Sequence, residues 1–183
     1  MFFRTTRTLT FLLCLCAWVV AASPPGIWLD VPFVRQEKEG CGAASIAMVM
    51  QYWARQQQQS QNVDVAEIQR ALYSKEGHGI YATNVEHYFQ THGFRTFTFK
   101  GEQSDLKQHL EKGRPLMVAL KPLPGDNALH YVVVTGLDWE NRVVMVNDPA
   151  QRKLLKVNQS NFEQEWSATG KWTLLAVPQP EAR

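Results

Sequence analysis

The chain has 183 residues, of which 45% are hydrophobic and 20% are charged, and its formal net charge is +2. This length and composition predict one compact globular domain. Nucleic-acid binding depends on a surplus of basic residues gathered on one face, so the near-neutral balance predicts no nucleic-acid partner.

The first 23 residues are typical of a secretory signal. Arg4 and Arg7 precede an apolar run from Leu9 to Val20, and small residues follow at positions 21–23. The run is about 12 residues long, whereas a membrane-spanning helix needs about 20, so the pattern favours a cleaved signal over a retained anchor. We predict a signal peptide at 1–23 and one domain at 24–183. The protein would then be exported, periplasmic or extracellular, with no stable membrane insertion after cleavage.

Removal of this segment changes the charge and the cysteine content. It takes away two arginines and two of the three cysteines, which leaves 17 basic residues, 17 acidic residues and Cys41 as the only thiol. An intramolecular disulfide is then impossible. In an oxidising compartment a lone cysteine is either buried and inert or kept for its reactivity. Composition alone leaves both interpretations open.

The predicted elements are mostly helices in the first half and strands in the second. Alternating apolar residues from Ile27 to Phe33 indicate one extended segment, and helical spacing predicts a helix from Cys41 to about residue 55. Capping boxes at Asp64 and at Thr83 predict two short helices. The later elements are a strand at 94–99, a helix at 104–112, strands at 116–120, 131–135, 143–146 and 154–157, a helix capped by Ser160, and a strand at 172–177. This order predicts an α+β fold, an N-terminal helical part packed on a C-terminal antiparallel sheet.

Cys41 opens the first long helix, between Gly40 and Gly42. A helix N-terminus favours negative charge, so a thiolate forms more readily there. The flanking glycines leave the sulfur uncrowded and let backbone approach a substrate. Cys41 is therefore a candidate nucleophile, although a small buried core cysteine is an equal alternative.

A catalytic thiol needs a base and a group that orients the base. Of the five histidines, His130 stands at the entry to the most strongly β segment, and Asp148 directly follows the strand at 143–146. If these two strands are neighbours, the two side chains meet at one end of the sheet. The alternatives are a satisfied histidine at a sheet margin and a plain turn aspartate. His78, in a loop between two glycines, is a weaker candidate for the same cleft.

Gln36 lies five residues before Cys41 on the loop that leads into the helix. A side-chain amide there could donate a hydrogen bond to a developing oxyanion, together with the backbone N–H of Cys41. A solvated loop glutamine is the alternative.

These residues together resemble a known family. Gln36, the run from Gly40 to Ala44 with Met48 one turn on, the run from His130 to Val134 with Gly136, and the pair Asp148-Pro149 are similar in order and spacing to the bacteriocin-processing, or double-glycine, peptidases of the papain-like clan. The resemblance covers roughly residues 30–177. It implies a papain-like fold with Cys41 as nucleophile, His130 as base, Asp148 as orienting acid and Gln36 as oxyanion amide.

The first hypothesis is therefore an exported cysteine peptidase that works through an acyl-enzyme intermediate. Two alternatives keep the same fold: a papain-like acyltransferase that forms isopeptide or amide bonds, and a non-catalytic peptide-binding module of a secretion system. The expected partners are a peptide or protein substrate and a secretion-system component. Neither a cofactor nor a metal is predicted, because one cysteine and scattered histidines lack the clustered spacing of zinc ligands.

Overall fold

The computed structural model describes residues 25–59, 63–122 and 129–180, so the predicted signal at 1–23 lies outside the described residues. Five helices and seven strands form this part of the chain. In chain order they are β1 (Gly26–Trp28), α1 (Cys41–Gln56), α2 (Val65–Leu72), α3 (Ala82–Thr91), β2 (Phe94–Lys100), α4 (Gln103–Glu111), β3 (Leu116–Leu120), β4 (His130–Asp138), β5 (Val143–Asn147), β6 (Leu155–Asn158), α5 (Gln159–Ser167) and β7 (Trp172–Pro178).

The strands form one antiparallel sheet in the order β2-β7-β3-β4-β5-β6, and β1 pairs with the far half of β4. β4 and β5 are consecutive and joined by a tight turn, so the beginning of β4 lies beside the end of β5. This pairing brings residues 130 and 148 to the same end of the sheet.

Helices cover both faces of the sheet. On one face, α1 and α3 bury a core that includes Ile46, Phe89 and Val133. On the other face, α4 and α5 bury a second core that includes Leu106 and Trp166. The predicted α+β fold class is therefore confirmed, with α4 and α5 as an additional layer on the second face. Among the described residues, no helix is long and apolar enough to cross a membrane.

The predicted extended segment from Ile27 to Phe33 is shorter in the structure. Only Gly26–Trp28 forms a strand. The amide of Val31 turns back to the carbonyl of Leu29 at 2.9 Å, and Pro32 has no N–H to donate to a sheet. The chain therefore leaves the sheet and becomes the loop that carries Gln36.

Two of the predicted caps are wrong, and one is confirmed. Asp64 caps α2 by accepting bonds from the amides of Ala66 and Glu67. In contrast, α3 begins at Ala82 without a side-chain cap, which places Thr83 inside its first turn. α5 is capped by Asn158 and not by Ser160, because the Asn158 oxygen accepts the Ser160 amide at 2.9 Å.

Candidate active site

Cys41 is the first residue of α1 and its thiol is half-buried. Gly40 provides no side-chain cap, and the first turn contains no acidic residue. The first amides of a helix have no intrahelical acceptor, so this end of α1 presents free N–H groups and the positive end of the helix dipole. Both favour negative charge on the sulfur.

His130 is the first residue of β4, and Asp148 directly follows β5. The Nε2 atom of His130 lies 2.8 Å from Oδ1 of Asp148. Asp148 also accepts the Ala150 amide at 2.9 Å and the Gln151 side-chain amide at 2.6 Å. These bonds fix the carboxylate, which in turn fixes the plane of the imidazole. Asp148 is therefore both a turn residue and the partner of His130.

Cys41 and His130 line the same cleft, and Cys41 is close enough to help raise the pKa of the imidazole. Since Nε2 is engaged by Asp148, Nδ1 is the ring nitrogen that remains available for proton transfer. Burial by itself lowers the pKa of His130, but the bonds and charges of Asp148 and Cys41 outweigh it and raise the pKa to about 9. The raised pKa favours a protonated ring at neutral pH.

The pKa of Asp148 is also displaced. Burial raises it, yet the hydrogen bond and charge of His130, with the bonds from Ala150 and Gln151, hold the pKa of this carboxyl below its ordinary value. The carboxylate therefore stays ionised, and it favours the protonated imidazole.

A buried hydrogen bond joins the helix that carries Cys41 to the strand that carries His130. The hydroxyl of Ser45, one turn after Cys41, donates to the carbonyl of Tyr131 at 3.2 Å. Ser45 is fully buried. The bond fixes one point of contact between α1 and β4, the two elements that carry Cys41 and His130.

Gln36 is held next to the same group of residues. Its backbone amide donates to the carbonyl of Pro149 at 3.0 Å, directly after Asp148. Its side chain lines the cleft with Cys41. Among the described residues, its buried Oε1 has no hydrogen-bond partner. The side-chain amide is thus held in the cleft without a protein partner for that oxygen.

All four predicted site residues line one open cleft of about 610 Å³. His78, the weaker histidine candidate, also lines it, and its Nδ1 lies 3.7 Å from Glu39 Oε1. Glu39 accepts a hydrogen bond from the Tyr73 hydroxyl, and this bond holds the pKa of Glu39 below its ordinary value. Glu165, on α5, also lines the cleft.

A comparison with known families decides the assignment. The profile described as the Peptidase_C39 like family matches residues 28–174, which include all four predicted site residues. The chain belongs to the Peptidase_C39 like family. No curated protein matches the chain.

Solved structures agree with a C39-like peptidase fold. A C39-like peptidase from Bacillus anthracis is 20% identical, with a TM-score of 0.68 over 85% of this chain and 99% of that one. A double-glycine-motif protease from an AMS/PCAT transporter, solved with its leader peptide, is 25% identical, with a TM-score of 0.65 over 83% and 94%. Xylellain, a cysteine protease from Xylella fastidiosa, is 14% identical, with a TM-score of 0.62 over 87% and 88%. The family and the fold are those of a cysteine peptidase.

Sequence reasoning missed three residues that this C39-like cleft contains: Glu39, Gln151 and Glu165. Gln151 follows Asp148 by three residues, a spacing at which turn side chains commonly meet, so it could have been found. Glu39 and Glu165 reach the cleft through tertiary packing and carry no local signal. Within residues 25–59, 63–122 and 129–180, no group of three His, Cys, Asp or Glu side chains could hold a metal ion.

Proposed function

We propose that this protein is an exported cysteine peptidase that hydrolyses peptide bonds with a Cys41–His130–Asp148 triad and a Gln36 oxyanion contact. One observation carries the proposal: His130 is held by Asp148 at 2.8 Å in the same cleft that Cys41 lines. A base that is oriented by a carboxylate and lies beside a nucleophile is the arrangement that activates a thiol.

In the first step, the Cys41 thiolate attacks the carbonyl carbon of the scissile peptide bond. The carbonyl π electrons move to oxygen, and the oxyanion accepts hydrogen bonds from the Cys41 backbone N–H and the Gln36 side-chain amide. The C–N bond then breaks, and protonated His130 gives its Nδ1 proton to the leaving amine. A thioester remains on Cys41.

In the second step, water attacks the thioester. Neutral His130 accepts a proton from the water as the C–O bond forms. The C–S bond breaks, the carboxylic acid product leaves, and the thiolate–imidazolium pair is restored. Throughout both steps Asp148 holds the ring in the orientation that both proton transfers need.

A peptide is the proposed substrate, and we place its cleavage outside the cytoplasm. The transporter protease among the similar structures was solved with a leader peptide, which supports a peptide in the corresponding cleft here. The charged start, apolar run and small residues of positions 1–23 support export. A component of a secretion system is the proposed protein partner, since that relative belongs to a transporter.

The test is carried out on protein purified after export, with a peptide library as substrate and mass spectrometry as readout. We expect cleavage by the wild type and none by Cys41→Ala or His130→Ala. His87→Ala, which removes a surface histidine of α3, should cleave as the wild type does. Circular dichroism verifies that all variants are folded.

Thiol labelling adds an independent readout. Iodoacetamide should modify Cys41 rapidly near pH 7, as located by peptide mapping, and should label it more slowly in His130→Ala. Labelling of the wild type at the rate of an ordinary cysteine, together with an uncut library, would overturn the peptidase assignment. Conjugates that form only when an amine is added would instead identify an acyltransferase.

A further inference from the structure

The cleft continues from His130 towards α5. The half-buried side chains of Leu155 and Val157 on β6 and the exposed Leu129 line this part. We call these three residues the apolar floor. The wall beside it is α5, which contributes Asn161 and Glu165. These two residues are four apart on a helix, so they lie on the same face, one turn from each other.

Glu165 differs from the other carboxylates near the cleft. In the part of the chain that the structure describes, its carboxylate has no hydrogen-bond or ion-pair partner. Asp148 is bonded to His130, and Glu39 to Tyr73. On α5 itself, Glu163 is paired with Lys171.

Partial burial disfavours the ionised form of the Glu165 carboxylate. Burial raises the pKa of Glu165; the charge of His130 opposes this and the charge of Asp148 adds to it. A partly desolvated carboxylate without a partner gains more from an incoming cation than an exposed one does.

Lys156 also lines the cleft, but it does not supply that cation. Side chains alternate along a strand. Leu155 and Val157 face the second core, so Lys156 projects to the other side of β6. Its charge also contributes to lowering the pKa of Asp138, after the larger effect of the Asn141 hydrogen bonds. No ion pair between Lys156 and Glu165 occurs within the described residues.

We infer that the α5 side of the cleft is a subsite for a lysine or arginine side chain of the peptide substrate. The aliphatic part of such a side chain would pack on the apolar floor, and its cationic end would reach Glu165, with Asn161 as a second acceptor. Long basic side chains are suited to this combination, because their stems are apolar and only their ends are charged. The inference rests on the proposed peptidase function and names one class of substrate residue.

The test uses peptides in which one position at a time is lysine, norleucine or glutamate. Norleucine has the unbranched stem of lysine without the ammonium group. Cleavage rates are measured for the exported wild type, Glu165→Gln, Glu165→Lys and Glu140→Gln. Glu140 lies in the exposed turn between β4 and β5, so Glu140→Gln removes the same charge away from the cleft.

We expect the wild type to prefer lysine over norleucine at one position by about 10-fold, as a charge-assisted hydrogen bond implies. Glu140→Gln should keep this preference, Glu165→Gln should lose it, and Glu165→Lys should favour glutamate at that position. No lysine preference at any position, or an unchanged preference in Glu165→Gln, would overturn the subsite.

Measurements of peptide affinity test the subsite independently of the proposed peptidase activity. Fluorescence anisotropy measures the affinity of the same peptides for Cys41→Ala and for Cys41→Ala with Glu165→Gln. If the wild type cuts no peptide, the peptidase proposal fails, yet a lysine preference in binding that depends on Glu165 still supports the subsite. Equal affinity for lysine and norleucine peptides rejects the subsite even where cleavage occurs.

Discussion

Asp148 performs two tasks with one carboxylate. Its oxygens accept the Ala150 amide and the Gln151 side chain, which closes the turn after β5, and Oδ1 also binds His130 at 2.8 Å. The sequence left a turn residue and an orienting acid as alternatives, and in the structure the same carboxylate makes both the turn bonds and the bond to His130. Part of the site is thus positioned by the same bonds that end a strand.

Asp148→Asn should remove the negative charge of this side chain while keeping its hydrogen bond within the turn. The asparagine oxygen can still accept the Ala150 amide, but the negative charge that helps to raise the pKa of His130 to about 9 is lost. The pKa of His130 should therefore fall towards its ordinary value of 6.5, and the alkaline limb of kcat/KM should move to lower pH with it. NMR titration of the imidazole measures the pKa independently of activity. Unchanged titration in this variant would contradict the assigned role.

Gln36→Ala should slow the chemical step more than it weakens binding. Removal of one oxyanion donor costs about 10²–10³ in kcat, because the bond strengthens only as charge develops on the substrate oxygen. KM should change little. Gln108→Ala, an exposed position on α4, is the matched control in steady-state kinetics. A rise in KM at constant kcat would show that Gln36 only binds the substrate.

At the scale of elements, the packing of α1 on β4 brings Cys41, the proposed nucleophile, into the same cleft as His130, the proposed base. Ser45→Ala removes the buried bond to the Tyr131 carbonyl, which should lower the free energy of unfolding by about 1 kcal/mol. It should also lower activity, since α1 can then shift along β4. Ser104→Ala, exposed in α4, provides the control. Urea denaturation and kcat/KM measure the two effects; full activity in a destabilised variant would show that the bond is purely structural.

The sequence predicted the start of α1 at Cys41 and the antiparallel β4–β5 pair because both depend on local patterns. Helical spacing after residue 41 indicates the helix, and two β-rich runs joined by a short turn indicate an antiparallel pair. The helix caps were harder, because several polar residues near a helix start can accept the free amides. Asn158 takes this role in place of Ser160, and α3 has no side-chain cap.

The contacts across the cleft could not be predicted in the same way. Glu165 lies more than one hundred residues after Cys41 in the sequence. It lines the same cleft only because α5 packs on the second face of the sheet. No periodicity in the sequence indicates which face a short helix will cover. The resemblance to a family added roles to the candidate residues of the proposed triad, but short motifs give no information about residues outside them.

At the scale of the whole molecule, Asn147 links three segments. Its fully buried side chain donates to the carbonyls of Val31 and Pro32, at 3.1 and 3.3 Å, and accepts the Leu154 amide at 3.0 Å. These bonds join the loop that leads to Gln36 to the connection between β5 and β6.

Asn147→Ala leaves buried polar groups without partners, which costs about 1–3 kcal/mol for each unsatisfied group. We expect Tm to fall by roughly 5–10 °C, since about 1 kcal/mol corresponds to 2–4 °C in a domain of this size. Asn84→Ala, in the first turn of α3, is the comparison. Calorimetry that shows equal Tm values for the two variants would contradict this role of Asn147.

The His130–Asp148 pair should also give the stability of the molecule a defined pH dependence. The pKa of His130 is raised in the folded protein from 6.5 to about 9, so its contribution is complete below pH 6.5 and is lost as the pH rises through 9. The pKa of Asp148 is lowered, so its contribution is complete above its ordinary value of 3.8 and is lost as the pH falls through the lowered value.

The pair should therefore stabilise the fold most between about pH 4 and 6.5, and the free energy of unfolding should decline from pH 6.5 to 9. His130→Gln lacks the titrating ring, so its stability should change less over that range. Urea denaturation at intervals of half a pH unit measures both curves. The four remaining histidines and the acidic residues are common to the two proteins, which assigns the difference between the curves to His130 and the groups it contacts. Parallel curves from pH 6.5 to 9 would mean that the folded protein does not hold the imidazole in its protonated form, and the thiolate–imidazolium pair would lose its physical basis.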